Sequence, residues 1–281
     1  MSRKLARARV AGRLIGLGIL SMLLTWLPWP VGAMAKIQEV IGTFDGQNYL
    51  IQAPAKDREP PPEGWPILLF FHGYNERGDD IGKLRYNNTP AGVYRDVADL
   101  HEHFVVITPQ LKREARFWDP VWTRSLIREA LKDWPVDWSK LSVTGLSIGG
   151  TGVWDFVRTF PGDVWSAAAF SGVAQETLVD PLSRPFTFDY KKPLLTVQQE
   201  QSQALAKVPF FQFHCRADWF IPFRAAARMA VALRRIGNRS ARIVPVPDCG
   251  HGAWLRYLGR DRQDLPGREN VSIYDWLLVP D

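Results

Sequence analysis

Short runs of apolar residues alternate along the chain with segments in which apolar positions recur every three or four residues. The runs at 67–71 and 104–108 are continuously apolar, which is typical of strands buried on both faces of a parallel sheet. The segment 123–134 instead has the spacing of an amphipathic helix. The apolar face of that helix carries Leu126, Ile127, Ala130, Leu131 and Trp134.

The same two patterns predict most of the remaining elements. Asp45-Gly46, a dipeptide common in two-residue turns, indicates an opening hairpin over 37–51. Further strands are expected at 141–146, 165–170, 209–213 and 242–246. Further helices are expected at 149–160, 222–236 and 273–278. Because strands alternate with helices, the sequence predicts an α/β fold with a mostly parallel central sheet and helices on both faces.

Residues 1–35 have the three parts of a secretory signal peptide. An apolar run at 14–27 is followed by Ala33-Met34-Ala35, which has the A-x-A pattern of a cleavage site. Basic side chains precede the run, namely Arg3, Lys4, Arg7, Arg9 and Arg13. Cleavage after Ala35, or alternatively after Ala33, would release an exported protein, periplasmic or secreted. The alternative is an uncleaved membrane anchor, but the run is shorter than the roughly 20 residues that span a bilayer.

The net charge of +6 is concentrated in this N-terminal segment. Five basic residues lie there, and no acidic residue precedes Lys36. Subtracting those five charges from six leaves about one for residues 36–281. With a net charge so close to zero, residues 36–281 lack the excess of basic residues that is typical of nucleic-acid-binding domains. We therefore expect no nucleic-acid partner, and contact with a membrane only if the N-terminal segment stays uncleaved.

Residues 36–281 are expected to form a single domain, because they contain no internal repeat and no long linker. The segment 173–207 breaks the alternation of strands and helices and contains three prolines, Pro181, Pro185 and Pro193. A segment of this length without regular structure is uncommon inside a compact domain. The segment is either an excursion over the surface or a lid over a substrate site.

The motif Gly145-Leu146-Ser147-Ile148-Gly149 carries the clearest chemical signal. It has the form G-x-S-x-G and lies directly between a predicted strand and a predicted helix. In that context the serine occupies a tight, strained turn that exposes its hydroxyl at the edge of the sheet. Glycines on either side allow the strand and the helix to approach closely. Ser147 is therefore the predicted nucleophile.

A serine nucleophile needs a base, and in this architecture a histidine follows both the serine and the acid along the chain. Three of the five histidines precede Ser147: His72, His101 and His103. His214 ends a predicted strand, where we expect a buried, hydrogen-bonded side chain. His251 lies between two glycines in the loop after the last predicted strand, and it is the predicted base.

The acid that orients the base is expected at Asp218, in the loop after a predicted strand. Loops that follow parallel strands meet at the carboxyl edge of the sheet, where sites of this fold class lie. Asp248 is the alternative, but it belongs to the same loop as His251. Two further aspartates, Asp180 and Asp189, fall in the irregular segment.

The oxyanion that forms during attack needs two preorganised N–H donors. One is expected from the backbone of Ile148, directly after the nucleophile. The other is expected from the loop after an early strand, where His72-Gly73-Tyr74 follows the run at 67–71. We predict that the Tyr74 N–H supplies it, since Gly73 allows the backbone to turn there.

Together these motifs resemble the α/β-hydrolase fold superfamily, and within it the phospholipase/carboxylesterase-type enzymes and the esterases called predicted peptidases. The resemblance extends in order from about residue 67 to the C-terminus. The matching segments are FFHGYNERGDD (70–80), GLSIGG (145–150), FHCRADWFIP (213–222) and GHGAW (250–254). The resemblance implies the α/β-hydrolase fold, with Ser147, Asp218 and His251 as a catalytic triad. The irregular segment is longer than in compact members, so no substrate preference is carried over.

We therefore expect an exported serine hydrolase that cleaves small-molecule or polymeric carboxylic esters through an acyl-enzyme intermediate, without a cofactor. A peptidase or other amide hydrolase with the same triad is the first alternative. A catalytically inactive binding protein on a hydrolase fold is the second, although the complete set of Ser147, Asp218 and His251 disfavours it. Acyl-chain length and oligomeric state have no signal in the sequence.

The two cysteines flank the predicted acid and base. Cys215 lies three residues before Asp218, and Cys249 lies two residues before His251. A triad would bring these two loops together, and an exported protein meets oxidising conditions. We therefore predict a Cys215–Cys249 disulfide, with two buried free thiols as the alternative. No cluster of Cys and His has the spacing of metal ligands, so no metal is expected.

Overall fold

The computed structural model describes residues 36–85, 89–175, 178–180, 187–188 and 199–281. The predicted signal peptide lies outside the described residues, as does most of the segment 173–207. The single-domain prediction for residues 36–281 therefore stays a prediction.

Ten strands are present among the described residues. They are β1 (Ile37–Phe44), β2 (Gln47–Pro54), β3 (Trp65–Phe71), β4 (Val105–Pro109), β5 (Val136–Leu146), β6 (Ser166–Phe170), β7 (Leu178–Asp180), β8 (Thr187–Phe188), β9 (Phe210–Cys215) and β10 (Arg242–Val246). Eight of these described strands form one sheet in the order β1-β2-β4-β3-β5-β6-β9-β10, and β7 pairs with β8 separately. The pairs β1–β2 and β2–β4 are antiparallel, whereas all other neighbours in the large sheet are parallel. The prediction of a mostly parallel sheet is confirmed.

Helices connect most of the strands. In the described residues they are α1 (Pro90–Val93), α2 (Ala98–His101), α3 (Pro120–Ala130), α4 (Ile148–Thr159), α5 (Gln199–Leu205), α6 (Phe223–Arg235) and α7 (Ile273–Leu278). Within that part of the chain, none of the helices combines the length and the apolar character of a membrane span.

The side chains of β3 alternate between two cores, one on each face of the sheet. Ile67, Leu69 and Phe71 pack in the core that includes α3, α4 and α6. Leu68 and Phe70 pack on the opposite face with α1, α2 and α7. Both faces are therefore covered by helices, as predicted, and this explains why the run at 67–71 is apolar at every position.

Local side-chain chemistry explains where the structure differs from the predicted bounds. The helix predicted over 123–134 begins at Pro120, because the Asp119 carboxylate accepts hydrogen bonds from the N–H groups of Val121 and Trp122. That helix ends at Ala130 instead of residue 134. The hairpin turn lies at Asp45-Gly46 as predicted, with positive φ at both residues.

The order of the strands creates a crevice at one edge of the sheet. From β3 the chain passes to β4 on one side, and from β5 it passes to β6 on the other side. The loops that leave the neighbouring carboxyl ends of β3 and β5 therefore diverge. Ligands of open α/β sheets bind at such points.

Candidate active site

Ser147 occupies the sharp turn between β5 and α4. Its backbone angles are φ 54° and ψ −119°, a conformation that residues other than glycine rarely adopt. The Ser147 N–H donates to the Phe170 carbonyl at 2.9 Å, which ties the turn to the end of β6. The hydroxyl consequently lies in the cavity at the carboxyl edge of the sheet, as the motif predicted.

The glycines of the motif are required by close backbone contacts. A Cβ at Gly149 would lie 2.0 Å from the Phe71 carbonyl oxygen, at the end of β3. A Cβ at Gly145 would lie 2.6 Å from the Gly149 carbonyl oxygen. These separations are far below van der Waals contact, and the opposing atoms belong to backbone that is fixed in a sheet or helix. The turn can therefore form only with glycine at both positions.

His251 connects Ser147 to Asp218. Its Nδ1 lies 2.8 Å from Asp218 Oδ2, and its Nε2 lies 2.9 Å from Ser147 Oγ. A carboxylate only accepts hydrogen bonds, so Nδ1 carries the proton of the neutral ring. Nε2 is then the acceptor for the Ser147 hydroxyl. The structure thus brings together all three residues of the predicted triad.

Asp218 is held as a buried carboxylate, with none of its side chain exposed. Its Oδ1 accepts from the N–H groups of Phe220 and Ile221, each at 2.9 Å. Burial acts to raise the pKa of Asp218, but hydrogen bonds from His214, His251 and Ile221, together with the positive charge that His251 carries when protonated, lower it to about 2. Asp218 is therefore ionised at neutral pH.

The alternative acid, Asp248, is not hydrogen-bonded to the His251 ring. Asp248 is exposed, whereas the hydrogen bond from the His251 ring goes to Asp218. His214 is the penultimate residue of β9 and has a buried, hydrogen-bonded side chain, which confirms that prediction. Its proximity to Asp218, at 3.3 Å between Nε2 and Oδ2, was not predicted.

The two residues predicted to supply oxyanion donors line the same cavity as Ser147. Ile148 is the first residue of α4, and Tyr74 follows the end of β3 by three positions. His72 anchors the loop that follows β3 and carries Tyr74. Its Nδ1 lies 2.7 Å from the Gly73 carbonyl oxygen, and its Nε2 accepts from the Leu111 N–H at 2.9 Å. In a planar trans peptide the carbonyl and the next N–H point in opposite directions. Anchoring the Gly73 carbonyl therefore also sets the direction of the Tyr74 N–H.

His72 is neutral in this position. Burial lowers its pKa to about 4, and its ring packs edge-on against Trp118 at 4.8 Å between centroids. The sequence excludes His72 as the base and places the His72-Gly73 pair at the start of the loop expected to supply an oxyanion donor. It does not predict that the His72 ring itself anchors this loop.

The cavity around Ser147 has a volume of about 470 Å³. Its wall is mostly apolar, with Phe117, Leu146, Val173, Phe220, Ile221, Trp254 and Leu255. Polar side chains are fewer and include Asn75, Glu76, Thr89 and Thr151. A cavity of this size and character fits a small apolar group next to the Ser147 hydroxyl.

A disulfide joins Cys215 to Cys249, as predicted. It connects the end of β9, from which the Asp218 loop departs, to the loop that carries His251. The acid and base loops are therefore linked covalently a few residues from the groups that contact each other. Among the described residues, no group of three or more His, Cys, Asp and Glu side chains is arranged to hold a metal ion.

Several solved structures are similar to this one. A thermostable esterase matches with a TM-score of 0.57 and 20% identity, covering 78% of this chain and 59% of that chain. S-formylglutathione hydrolase from Staphylococcus aureus matches with a TM-score of 0.54 and 15% identity, covering 79% and 94%. Acylaminoacyl peptidase from Pyrococcus horikoshii matches with a TM-score of 0.51 and 11% identity, covering 82% and 39%. The chain thus spans less than two thirds of the length of that esterase and of that peptidase.

These neighbours share one architecture. The chain has the α/β-hydrolase fold. The fold expected from the motif resemblance is confirmed. No known protein family and no curated protein matches the sequence at a significant level. Because the identities are low and the neighbours include esterases and peptidases, the reaction has to be argued from the site itself.

Proposed function

We propose that the protein is a serine hydrolase that cleaves carboxylic esters through an acyl-enzyme intermediate. The observation that carries the proposal is the continuous hydrogen-bonded series from Asp218 through His251 to Ser147. A buried carboxylate, an imidazole with its free nitrogen toward the serine, and a hydroxyl on a strained turn are the parts that serine acyl transfer requires. Ser147 and His251 line a cavity large enough for an acyl group.

The reaction would use each group in a defined way. Ser147 Oγ attacks the ester carbonyl while His251 Nε2 takes the hydroxyl proton, and Asp218 stabilises the resulting imidazolium. The N–H groups of Tyr74 and Ile148 hold the oxyanion. His251 then returns the proton to the leaving alcohol, which leaves the acyl group on Ser147. A water molecule, deprotonated by His251, releases the acid.

The lining of the cavity supports an apolar acyl group, since aromatic and aliphatic side chains form most of the wall. The substrate would be a small-molecule ester or an ester bond of a polymer. No cofactor takes part in this scheme. An amide hydrolase with the same triad is the alternative. Because the fold neighbours include an acylaminoacyl peptidase, the experiment below also uses amide substrates.

Export forms part of the proposal. The Cys215–Cys249 disulfide supports it, because such bonds persist in oxidising compartments and are rare in the cytosol. The mature N-terminus, measured by mass spectrometry, is expected at Lys36 or, after the alternative cleavage, at Met34. Protein that keeps Met1 and stays with the membrane fraction would instead support the anchor.

The function is tested by hydrolysis of a panel of p-nitrophenyl esters of increasing acyl length, with matched p-nitroanilides as amide substrates. We expect ester turnover, and a loss of at least about 10,000-fold in Ser147→Ala. Ser125→Ala is the control, since Ser125 is exposed on α3 and its hydroxyl bonds only locally, to the Val121 carbonyl. Retained turnover in Ser147→Ala would refute the proposal, and faster turnover of the amides would favour the peptidase alternative.

A further inference from the structure

A series of buried polar side chains continues from Asp218 toward α4. His214 Nε2 lies 3.3 Å from Asp218 Oδ2 and 2.7 Å from the Ile221 carbonyl oxygen. His214 Nδ1 lies 3.3 Å from Gln212 Nε2, and Gln212 Oε1 accepts from Trp154 Nε1 at 2.6 Å. The side chains of Trp154, Gln212 and His214 are at most 1% exposed.

The hydrogen-bond partners of the two ring nitrogens determine the tautomer of His214. An indole N–H only donates, so the Gln212 oxygen faces Trp154 and the Gln212 amino group faces His214 Nδ1. Nδ1 must then accept, which places the ring proton on Nε2. The other end requires the same assignment, because Nε2 faces a carbonyl oxygen, which only accepts.

The Nε2 proton is donated to the Ile221 carbonyl oxygen at 2.7 Å, and Asp218 Oδ2 lies 3.3 Å from the same nitrogen. The Ile221 N–H in turn donates to Asp218 Oδ1. His214 therefore contacts the turn that runs from Asp218 to Ile221 through the Ile221 carbonyl, while Asp218 contacts it through the Ile221 N–H. Ile221 also lines the cavity around Ser147.

We propose that His214 is a positioning residue for Asp218, held by Trp154 and Gln212 in the tautomer that donates from Nε2. The inference rests on the proposed function, because it assigns His214 a role in orienting the acid of that reaction. The Asp218 carboxylate accepts hydrogen bonds from Phe220, Ile221 and His251, and His214 Nε2 lies 3.3 Å from its Oδ2. These groups at fixed positions restrain rotation of the carboxylate, so Oδ2 stays directed at His251 Nδ1.

The surroundings of His214 come from several elements. His214 lies in β9 and faces Asp218 from the loop that follows this strand. On the other side of the carboxylate lies His251, from the loop after β10. From α6 the Phe223 ring approaches to 6.2 Å between centroids, with the Arg216 guanidinium 5.9 Å from that ring. Among the described residues, the titratable group beside His214 is Asp218, and His251 contacts the same carboxylate oxygen.

The first test measures the tautomer directly and does not depend on activity. Long-range ¹H–¹⁵N correlation spectra of the purified, ¹⁵N-histidine-labelled protein at pH 8 distinguish protonated from unprotonated ring nitrogens. The signals of His214 are assigned by their loss in His214→Gln. We expect Nε2 to be protonated and Nδ1 unprotonated. A protonated Nδ1 would overturn the assignment.

The second test compares the pH dependence of kcat/KM in His214→Leu and His214→Gln. Leucine removes the donor, and we expect a loss of about 10- to 100-fold, mainly in kcat, the range in which loss of a partner that orients a metal-bound histidine lowers activity. Glutamine places an amide donor near the position of Nε2 and is expected to recover most of that loss. Because His214 and His251 both lie against Asp218 Oδ2, removal of the His214 donor is also expected to move the acid limb of the profile in His214→Leu.

A merely structural role gives a different result. If His214→Leu only lowers the folded fraction, activity falls by the same factor at every pH, and the acid limb stays in place. That result, or unchanged kinetics in His214→Leu, would overturn the proposal. Failure of the proposed function is detected separately, as hydrolysis that persists in Ser147→Ala, whereas the tautomer of His214 can be measured in either case.

Discussion

His251 Nε2 lies 2.9 Å from Ser147 Oγ, although the two residues are 104 positions apart in the chain. Ser147 is placed by the turn between β5 and α4, which packs against the end of β3. His251 is placed by a loop that a disulfide ties to the end of β9. Each of these supports can be removed separately, and each removal has a different expected consequence.

The first prediction concerns the close approach of α4 to β3. We expect Gly149→Ala to lower the free energy of unfolding by about 3 kcal/mol, because its Cβ would overlap the Phe71 carbonyl oxygen, which belongs to the backbone of the central sheet. Gly162→Ala is the matched control, since a Cβ there meets no atom within 4 Å. Urea unfolding of both variants is the measurement, and equal stabilities would contradict the requirement for glycine at position 149.

The second prediction concerns the Cys215–Cys249 disulfide. The cysteines are 34 positions apart, so the chain-entropy model predicts that the bond stabilises the fold by about 3–4 kcal/mol. We expect the double variant Cys215→Ser with Cys249→Ser, or the reduced protein, to unfold at correspondingly lower urea concentration. Thiol titration of unfolded, unreduced protein is the control. Two titratable thiols would show that the bond does not form.

The third prediction concerns His72 and pH. The pKa of His72 is lowered from 6.5 to about 4 in the folded protein, so the neutral ring is the form that folding favours. As pH falls from about 6.5 to 4, the unfolded chain binds a proton at this position that the folded protein does not, and stability falls by about 3 kcal/mol. The contribution is complete above pH 6.5 and is lost on acidification.

The check is urea unfolding at several pH values between 7 and 4.5. We expect His72→Asn to show a smaller loss of stability over this range than the wild type, because asparagine does not titrate there and its amide still reaches the Gly73 carbonyl. His103→Asn is the control, since His103 is exposed and its removal should leave the pH dependence unchanged. An unchanged slope in His72→Asn would show that another group causes the loss.

Much of the architecture could be predicted because its signals are local. The apolar run of β3 and the helical spacing in α3 each reflect which faces are buried. The G-x-S-x-G motif indicates its own turn, since the steric need for Gly145 and Gly149 arises within a few residues of Ser147. The short helices α1 and α2 were not predicted, because four residues are too few to show a period.

The roles of His72 and His214 depend on partners that the sequence does not place beside them. His72 accepts from the N–H of Leu111, 39 positions away, and that contact exists only once β3 and β4 are paired. His214 obtains its tautomer from Gln212 and from Trp154 on α4, 58 positions from Gln212. Such contacts follow from the tertiary fold, whereas residue type and spacing indicate only that a histidine is present.

The central claim is that Ser147 is a reactive nucleophile activated by His251. The most direct measurement is covalent labelling of the folded protein by a fluorophosphonate, followed by intact-mass and peptide mass spectrometry. We expect one adduct, located on Ser147 and absent in Ser147→Ala, while Ser125→Ala labels like the wild type. Folded wild-type protein that remains unlabelled, or Ser147→Ala that is labelled as fully as the wild type, would contradict the claim.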